Sequence, residues 1–134
     1  MVDLEGQTTS IRPQIDEAIA RVLDSSKYIS GEEVSSFAKE LSEELDDAFV
    51  IPCANGTDAL QIALMSLGIG PGDEVIVPTF TFISPVEVIA LLGAKPVFVD
   101  VYPDSFNIDC EAVEKAITDR TKAIIAVHLF GQCA

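Results

Sequence analysis

Four short, largely apolar runs alternate with helical patterns along this chain, at residues 48–51, 74–77, 96–100 and 123–127. Because the runs do not alternate strictly between apolar and polar residues, they are typical of strands that are covered on both faces of a sheet. Strands that are joined by helices pair in parallel through right-handed crossovers. The sequence therefore predicts an α/β fold with a mainly parallel sheet and helices on both faces.

The spacing of apolar residues also predicts the helices before and between these strands. An amphipathic helix comes first, and a second helix begins with a capping box at residues 30–33, in which Ser30 is the expected cap. A third helix begins at about Thr57 and is apolar nearly all round, which indicates that several of its sides are covered, in one arrangement by a partner subunit. A fourth begins with a capping box at Ser84, and a fifth covers residues 109–117.

Composition and charge exclude several classes of function. The net charge of −14, with only eight lysines and arginines, argues against nucleic-acid binding, because neutralising phosphates requires a basic surface. The first residues do not resemble a secretory signal, and no run of about 18 apolar residues predicts a membrane helix. Three cysteines lack the spacing of a metal site and are interpreted as free thiols of a reducing cytoplasm, with Cys53 expected to be buried.

The turn at residues 53–60 follows the first predicted strand and opens the third helix. Its small and polar residues leave backbone N–H groups accessible at a helix N-terminus, where the helix dipole also favours an anion. Gly56 lets the backbone approach a ligand closely, and Thr57 is expected to cap the helix and to offer its hydroxyl to the anion. The turn therefore predicts a phosphate site, with an ordinary capped turn between core elements as the alternative.

Ligands of an open parallel sheet gather beyond the carboxyl ends of its strands. Aromatic residues follow the second predicted strand at that edge, which predicts a phosphorylated aromatic cofactor lying against Phe80 or Phe82, unless both rings are simply core. A nicotinamide cofactor is disfavoured. Gly68, Gly70 and Gly72 have the spacing of a dinucleotide fingerprint, but they follow a helix and precede a strand, which is the reverse of the required order.

Four ordered motifs, at residues 55–60, 71–78, 96–101 and 127–132, closely resemble the N-terminal part of the DegT/DnrJ/StrS sugar aminotransferases. The resemblance implies a fold-type I transferase that uses pyridoxal phosphate. In that fold, residues 1–47 would form an N-terminal helical segment, and residues 48–134 the first part of the cofactor-binding large domain. The first predicted strand would then have no neighbouring strand within this chain, because the family places strands from later in its sequence beside it.

The resemblance assigns roles to individual positions. Gly56 and Thr57 match the residues that hold the phosphate of pyridoxal phosphate, and Phe82 matches the aromatic residue that stacks on the pyridine ring. Gln132 and His128 match a segment near the edge of the cofactor, where a purely structural role of His128 is equally compatible with the sequence.

The catalytic residues of the family are expected outside this sequence. The lysine that binds the cofactor covalently, and the aspartate that pairs with the pyridine nitrogen, would lie beyond Ala134. Five lysines are present, but Lys95 and Lys122 precede strands and so belong to the opposite edge of the sheet, and the other three lie on polar helix faces or between helices. The resemblance therefore implies the first part of a longer enzyme.

The activity implied by the resemblance is transfer of an amino group, from an amino acid such as glutamate, to a keto-sugar that is attached to a nucleotide. A cytoplasmic homodimer acting in cell-envelope polysaccharide biosynthesis is the expected setting. Two alternatives remain open at this point. One is a pyridoxal-phosphate-dependent nucleotide-sugar dehydratase, which lacks the catalytic lysine, and the other is a non-catalytic module that binds a phosphorylated ligand or a subunit partner.

Overall fold

A computed structural model describes residues 3–134. The chain divides into two compact units, one ending at Pro52 and the other covering Cys53–Ala134. Among the described residues, no helix is both long enough and apolar enough to cross a lipid bilayer.

The described part of the first unit contains two helices, α1 (Leu4–Ser25) and α2 (Glu32–Glu44). An ion pair of 3.2 Å between the Arg21 guanidinium and the Glu33 carboxylate joins them. The predicted capping box at the start of α2 is wrong. Gly31, which has no side chain that could cap the helix, occupies the cap position. Ser30 lies one residue earlier and adopts the left-handed region, with φ of 49°.

The second unit contains three helices and three strands, followed by a short 3₁₀ turn at Leu129–Gly131. The sheet has the order β2-β1-β3, and both pairings are parallel, which confirms the predicted parallel α/β sheet. The elements in chain order are α3 (Gly56–Ser66), β1 (Glu74–Pro78), α4 (Ser84–Leu91), β2 (Lys95–Val99), α5 (Cys110–Ala116) and β3 (Thr121–Ile124).

The central strand β1 is buried along its whole length, and its two faces contact different helices. Val75 and Val77 pack in one cluster with Leu64 of α3 and Val88 of α4. Ile76 points to the other face, where it packs with β2 and with the apolar residues of α5. Helices therefore cover both faces of the sheet, as the continuous apolar runs predict.

Glu74 holds the amino edge of the sheet together. Its side chain is buried, and one carboxylate oxygen accepts hydrogen bonds from Arg120 Nη2 at 2.8 Å and Lys95 Nζ at 3.1 Å. The other oxygen accepts from the Thr118 hydroxyl at 2.7 Å. Hydrogen bonds from Thr118, then Arg120 and Lys95, lower the pKa of Glu74 from 4.5 to about 2. Lys95 therefore lies at the amino edge of the sheet, as predicted, where its ammonium group binds Glu74.

The expected strand at residues 48–51 is wrong. The segment is irregular, and Phe49 and Ile51 are 93% and 72% exposed. The described sheet consists of β2, β1 and β3, and residues 48–51 are not among its paired strands. The last strand also ends earlier than predicted, at Ile124. Cys53, expected to be buried, is exposed like the other two cysteines.

Candidate functional site

An open cleft of about 440 Å³ lies at the carboxyl edge of the sheet, on the side opposite Glu74. Three segments of the second unit line it: the start of α3, the segment from β1 into α4, and the segment that follows β3. The residues at the cleft that bear on its chemistry are Gly56, Thr57, Phe82, Ser84 and His128.

The start of α3 supplies accessible donors to this cleft. Asn55, rather than Thr57 as predicted, caps the helix, because its side-chain oxygen accepts the Asp58 N–H at 2.9 Å. The N–H groups of Gly56 and Thr57 belong to the first turn and have no acceptor inside the helix. A Cβ added to Gly56 would meet nothing within 4 Å, so the backbone there is open to a ligand.

The hydroxyl of Thr57, not needed for capping, lies 2.9 Å from the hydroxyl of Ser84. Ser84 is only 5% exposed, although it lines the cleft. Its predicted role as the cap of α4 is wrong, because Ile83 occupies that position without a side-chain hydrogen bond. The sequence motifs do not single out Ser84 as a site residue. The available signal was its place in the sequence, close behind the aromatic residues that follow the second predicted strand.

The aromatic residues after β1 separate into two environments. Phe82 lines the cleft and is 73% exposed. Phe80 instead packs against Phe106, with ring centroids 5.3 Å apart, and Phe106 in turn meets Phe130 edge-on at 5.6 Å. Of the two rings that the sequence offers as a stacking surface, the structure places Phe82 in the cleft and Phe80 in an aromatic cluster.

The segment after β3 brings His128, but not Gln132, to the cleft lining. His128 Nδ1 accepts the backbone N–H of Ala134 at 3.0 Å, so the hydrogen of the neutral ring lies on Nε2. Gln132 is exposed and follows the 3₁₀ turn directly. None of the five lysines, all of which are described, lines the cleft.

Comparison with known proteins shows the family of this chain. Residues 9–134 match the DegT/DnrJ/EryC1/StrS aminotransferase family. The chain belongs to this family. It is 53% identical over 133 residues to the UDP-2-acetamido-2-deoxy-3-oxo-D-glucuronate aminotransferase of Pseudomonas aeruginosa, covering 99% of this chain and 37% of that protein. It is 44% identical to the dTDP-3-amino-3,4,6-trideoxy-alpha-D-glucose transaminase of Streptomyces venezuelae, covering 99% and 35%.

Solved structures of this aminotransferase family share the fold. A DegT/DnrJ/EryC1/StrS aminotransferase from Brucella abortus superimposes with a TM-score of 0.92 at 51% identity, covering 99% of this chain and 38% of that one. A putative sugar aminotransferase from Streptococcus pneumoniae, described as a PLP-form, superimposes with a TM-score of 0.81 at 36% identity, covering 87% and 30%. These findings confirm the predicted family and fold class. The chain spans about 35–37% of the length of these two curated relatives.

Proposed function

We propose that this chain forms the N-terminal part of an aminotransferase that uses pyridoxal phosphate to convert a nucleotide-linked keto-sugar into an amino-sugar. One observation carries the proposal: the Thr57 hydroxyl and the open first turn of α3 line the same cleft as the exposed ring of Phe82. Anion donors and a flat apolar surface in one cleft suit a phosphorylated aromatic cofactor. The named activities of the relatives support the same reaction class.

The residues of the cleft fit this cofactor by their chemistry. Gly56 and Thr57 would hold the phosphate, the first through its backbone N–H and the second through its hydroxyl as well. Phe82 would lie against the pyridine ring, and Gln132 would approach the cofactor's edge from the segment that follows His128. When bound, pyridoxal phosphate supplies an electron sink for amino-group transfer. The covalent lysine would come from outside residues 1–134.

The substrates and assembly are proposed from the same relationship. UDP- and dTDP-linked sugars occur in the names of the relatives, so we infer a nucleotide-sugar acceptor, with glutamate as the amino donor. We place the enzyme in the cytoplasm, in cell-envelope polysaccharide synthesis, as a homodimer. Exposed apolar residues on α3, such as Ile62 and Met65, support a covering partner. Residues 48–134 would form the first part of the cofactor-binding domain, after a helical segment at 1–47.

A titration of the full-length protein with pyridoxal phosphate tests the proposal. The wild type should bind it and should aminate a UDP- or dTDP-linked keto-sugar with glutamate as donor. Phe82→Ala should weaken cofactor binding by about 0.5–1.5 kcal/mol beyond the loss of buried area, because a stacking surface is removed. Phe98→Ala is the matched control, since Phe98 is a half-exposed phenylalanine of β2 outside the cleft. Absence of cofactor binding, or equal losses for the two variants, would contradict the assignment.

A further inference from the structure

The Ser84 hydroxyl makes a contact outside its own helix. Its hydroxyl lies 2.9 Å from the Thr57 hydroxyl, which comes from the first turn of a different helix. α4 begins without a side-chain cap, so the Ser84 hydroxyl is not used to satisfy its own backbone. Ser84 is 5% exposed and lies at the wall of the cleft. A buried hydroxyl in this position has Thr57 as its partner.

The direction of the hydrogen bond between these two hydroxyls is open until an anion binds. Each hydroxyl carries a single hydrogen and can also accept. The phosphate of a bound ligand offers oxygen acceptors, so Thr57 must donate its only hydrogen to form a charge-assisted bond with it. The 2.9 Å contact then persists only if Ser84 donates to the Thr57 oxygen. Hydrogen bonds linked in this way polarise and strengthen one another.

We propose that Ser84 is a positioning residue for phosphate recognition: it donates its hydrogen to Thr57 and thereby commits the Thr57 hydrogen to the phosphate. This inference rests on the proposed function, because it assumes that a phosphorylated cofactor occupies the cleft. It assigns Ser84 a role that needs no contact with the cofactor. The effect of Ser84 must therefore depend on Thr57 and on the presence of the phosphate group.

The experiment measures the affinity of full-length variants for pyridoxal phosphate and for pyridoxal, which lacks the phosphate. Ser84→Ala should weaken pyridoxal phosphate binding by about 2- to 12-fold, the range that one neutral hydrogen bond supports, and should leave pyridoxal binding unchanged. In a Thr57→Val background, Ser84→Ala should cause no further loss, because the hydroxyl through which it acts is gone. Ser84→Thr, which retains the hydroxyl, should bind like the wild type.

Two further variants complete the design. Ser66→Ala is the matched control, because the Ser66 hydroxyl donates to the Ala63 carbonyl at 2.7 Å on α3, outside the cleft. It should bind both ligands like the wild type. Ser84→Cys keeps the size of the side chain with a weaker donor, and it should bind pyridoxal phosphate less tightly than the wild type even if the alanine variant does not fold.

Four outcomes would overturn the proposal. Equal losses for pyridoxal and pyridoxal phosphate would reduce Ser84 to a packing role, and additive losses in the Thr57→Val background would show that it does not act through Thr57. Wild-type affinity in Ser84→Ala would refute the inference while the proposed function stands. Failure of the wild-type protein itself to bind pyridoxal phosphate would instead refute the proposed function, and this inference with it.

Discussion

Glu74 is the residue whose charge bears most directly on the stability of the second unit. Glu74 is 2% exposed, and its carboxylate accepts hydrogen bonds from the side chains of Thr118, Arg120 and Lys95. These bonds lower its pKa from 4.5 to about 2 in the folded protein. Because the folded-state pKa lies below the unfolded-state value, Glu74 stabilises the fold fully above pH 4.5, and this contribution is lost as the pH falls toward 2.

Chemical unfolding of the full-length protein between pH 7 and pH 2.5 tests this prediction. Glu74→Gln should be less stable than the wild type at pH 7, and the difference should shrink between pH 4.5 and pH 2.5, since the wild-type carboxylate becomes protonated there. Glu111→Gln is the control, because Glu111 lies on the surface of α5 and forms an exposed ion pair with Lys115 at 3.8 Å. A constant difference between the wild type and Glu74→Gln across this range would refute the prediction.

At the scale of elements, the loop between β2 and α5 packs against two other segments, the one that follows β1 and the one that follows β3. Phe106 in this loop contacts both Phe80 and Phe130, at centroid distances of 5.3 Å and 5.6 Å. Phe106 and Phe130 both adopt positive φ, 58° and 63°, which is strained for bulky side chains. Such strain persists only where surrounding contacts fix the backbone.

Replacing Phe106 should therefore loosen both segments. Phe106→Leu removes two aromatic contacts and should lower the free energy of unfolding by roughly 1–3 kcal/mol, at about 0.5–1.5 kcal/mol for each contact. It should also weaken binding of pyridoxal phosphate, because the segments that carry Phe82 and His128 lose their support. Phe106→Tyr keeps the ring and should retain both properties. Denaturant titration and cofactor titration of the full-length variants measure the two effects; unchanged values for Phe106→Leu would contradict the expectation.

Elements whose signals are local could be predicted from the sequence, and elements that depend on distant partners could not. The apolar runs behind β1 and β2 predict the positions of both strands closely. The run of β1 is buried along its whole length, as such a run indicates, whereas the edge strand β2 is partly exposed. Residues 48–51 carry the same pattern, yet they form no strand, because a strand also needs a neighbour that the pattern does not specify.

The candidate site shows the same division. The turn before α3 and the ring of Phe82 could be located from residue types and from the resemblance to a family, and the structure brings both to one cleft. The predicted caps were misplaced by one or two positions. Asn55 rather than Thr57 caps α3, where two residues that can cap stand close together, while α2 and α4 begin without a side-chain cap. The contact between Thr57 and Ser84 depends on how two helices dock, which no local pattern contains.

At the scale of the whole molecule, exposed apolar surface predicts that residues 1–134 fold poorly alone. Phe49 and Ile51 are exposed in a segment that forms no strand. Water can hydrate the backbone of this segment, so the loss of folding free energy comes from the two exposed apolar side chains. Leaving such a side chain exposed forgoes about 1.5–3 kcal/mol. Leu67 and Leu91 in the second unit are also mostly exposed. Several losses of this size are comparable to the total stability of a domain, about 5–15 kcal/mol.

The 134-residue chain expressed by itself should therefore self-associate or melt without cooperativity, whereas the full-length protein should show a cooperative transition. The net charge of −14 opposes precipitation, so defined oligomers are the expected form of association at low salt. Light scattering after size-exclusion chromatography and thermal unfolding measure the two properties. Phe49→Ser together with Ile51→Ser should reduce association, because the apolar contact surface of that segment is removed. A monomer with a cooperative melt and with backbone amides at Val50 and Ile51 protected from hydrogen exchange would show that the segment finds a strand partner within residues 1–134, against the sheet order β2-β1-β3.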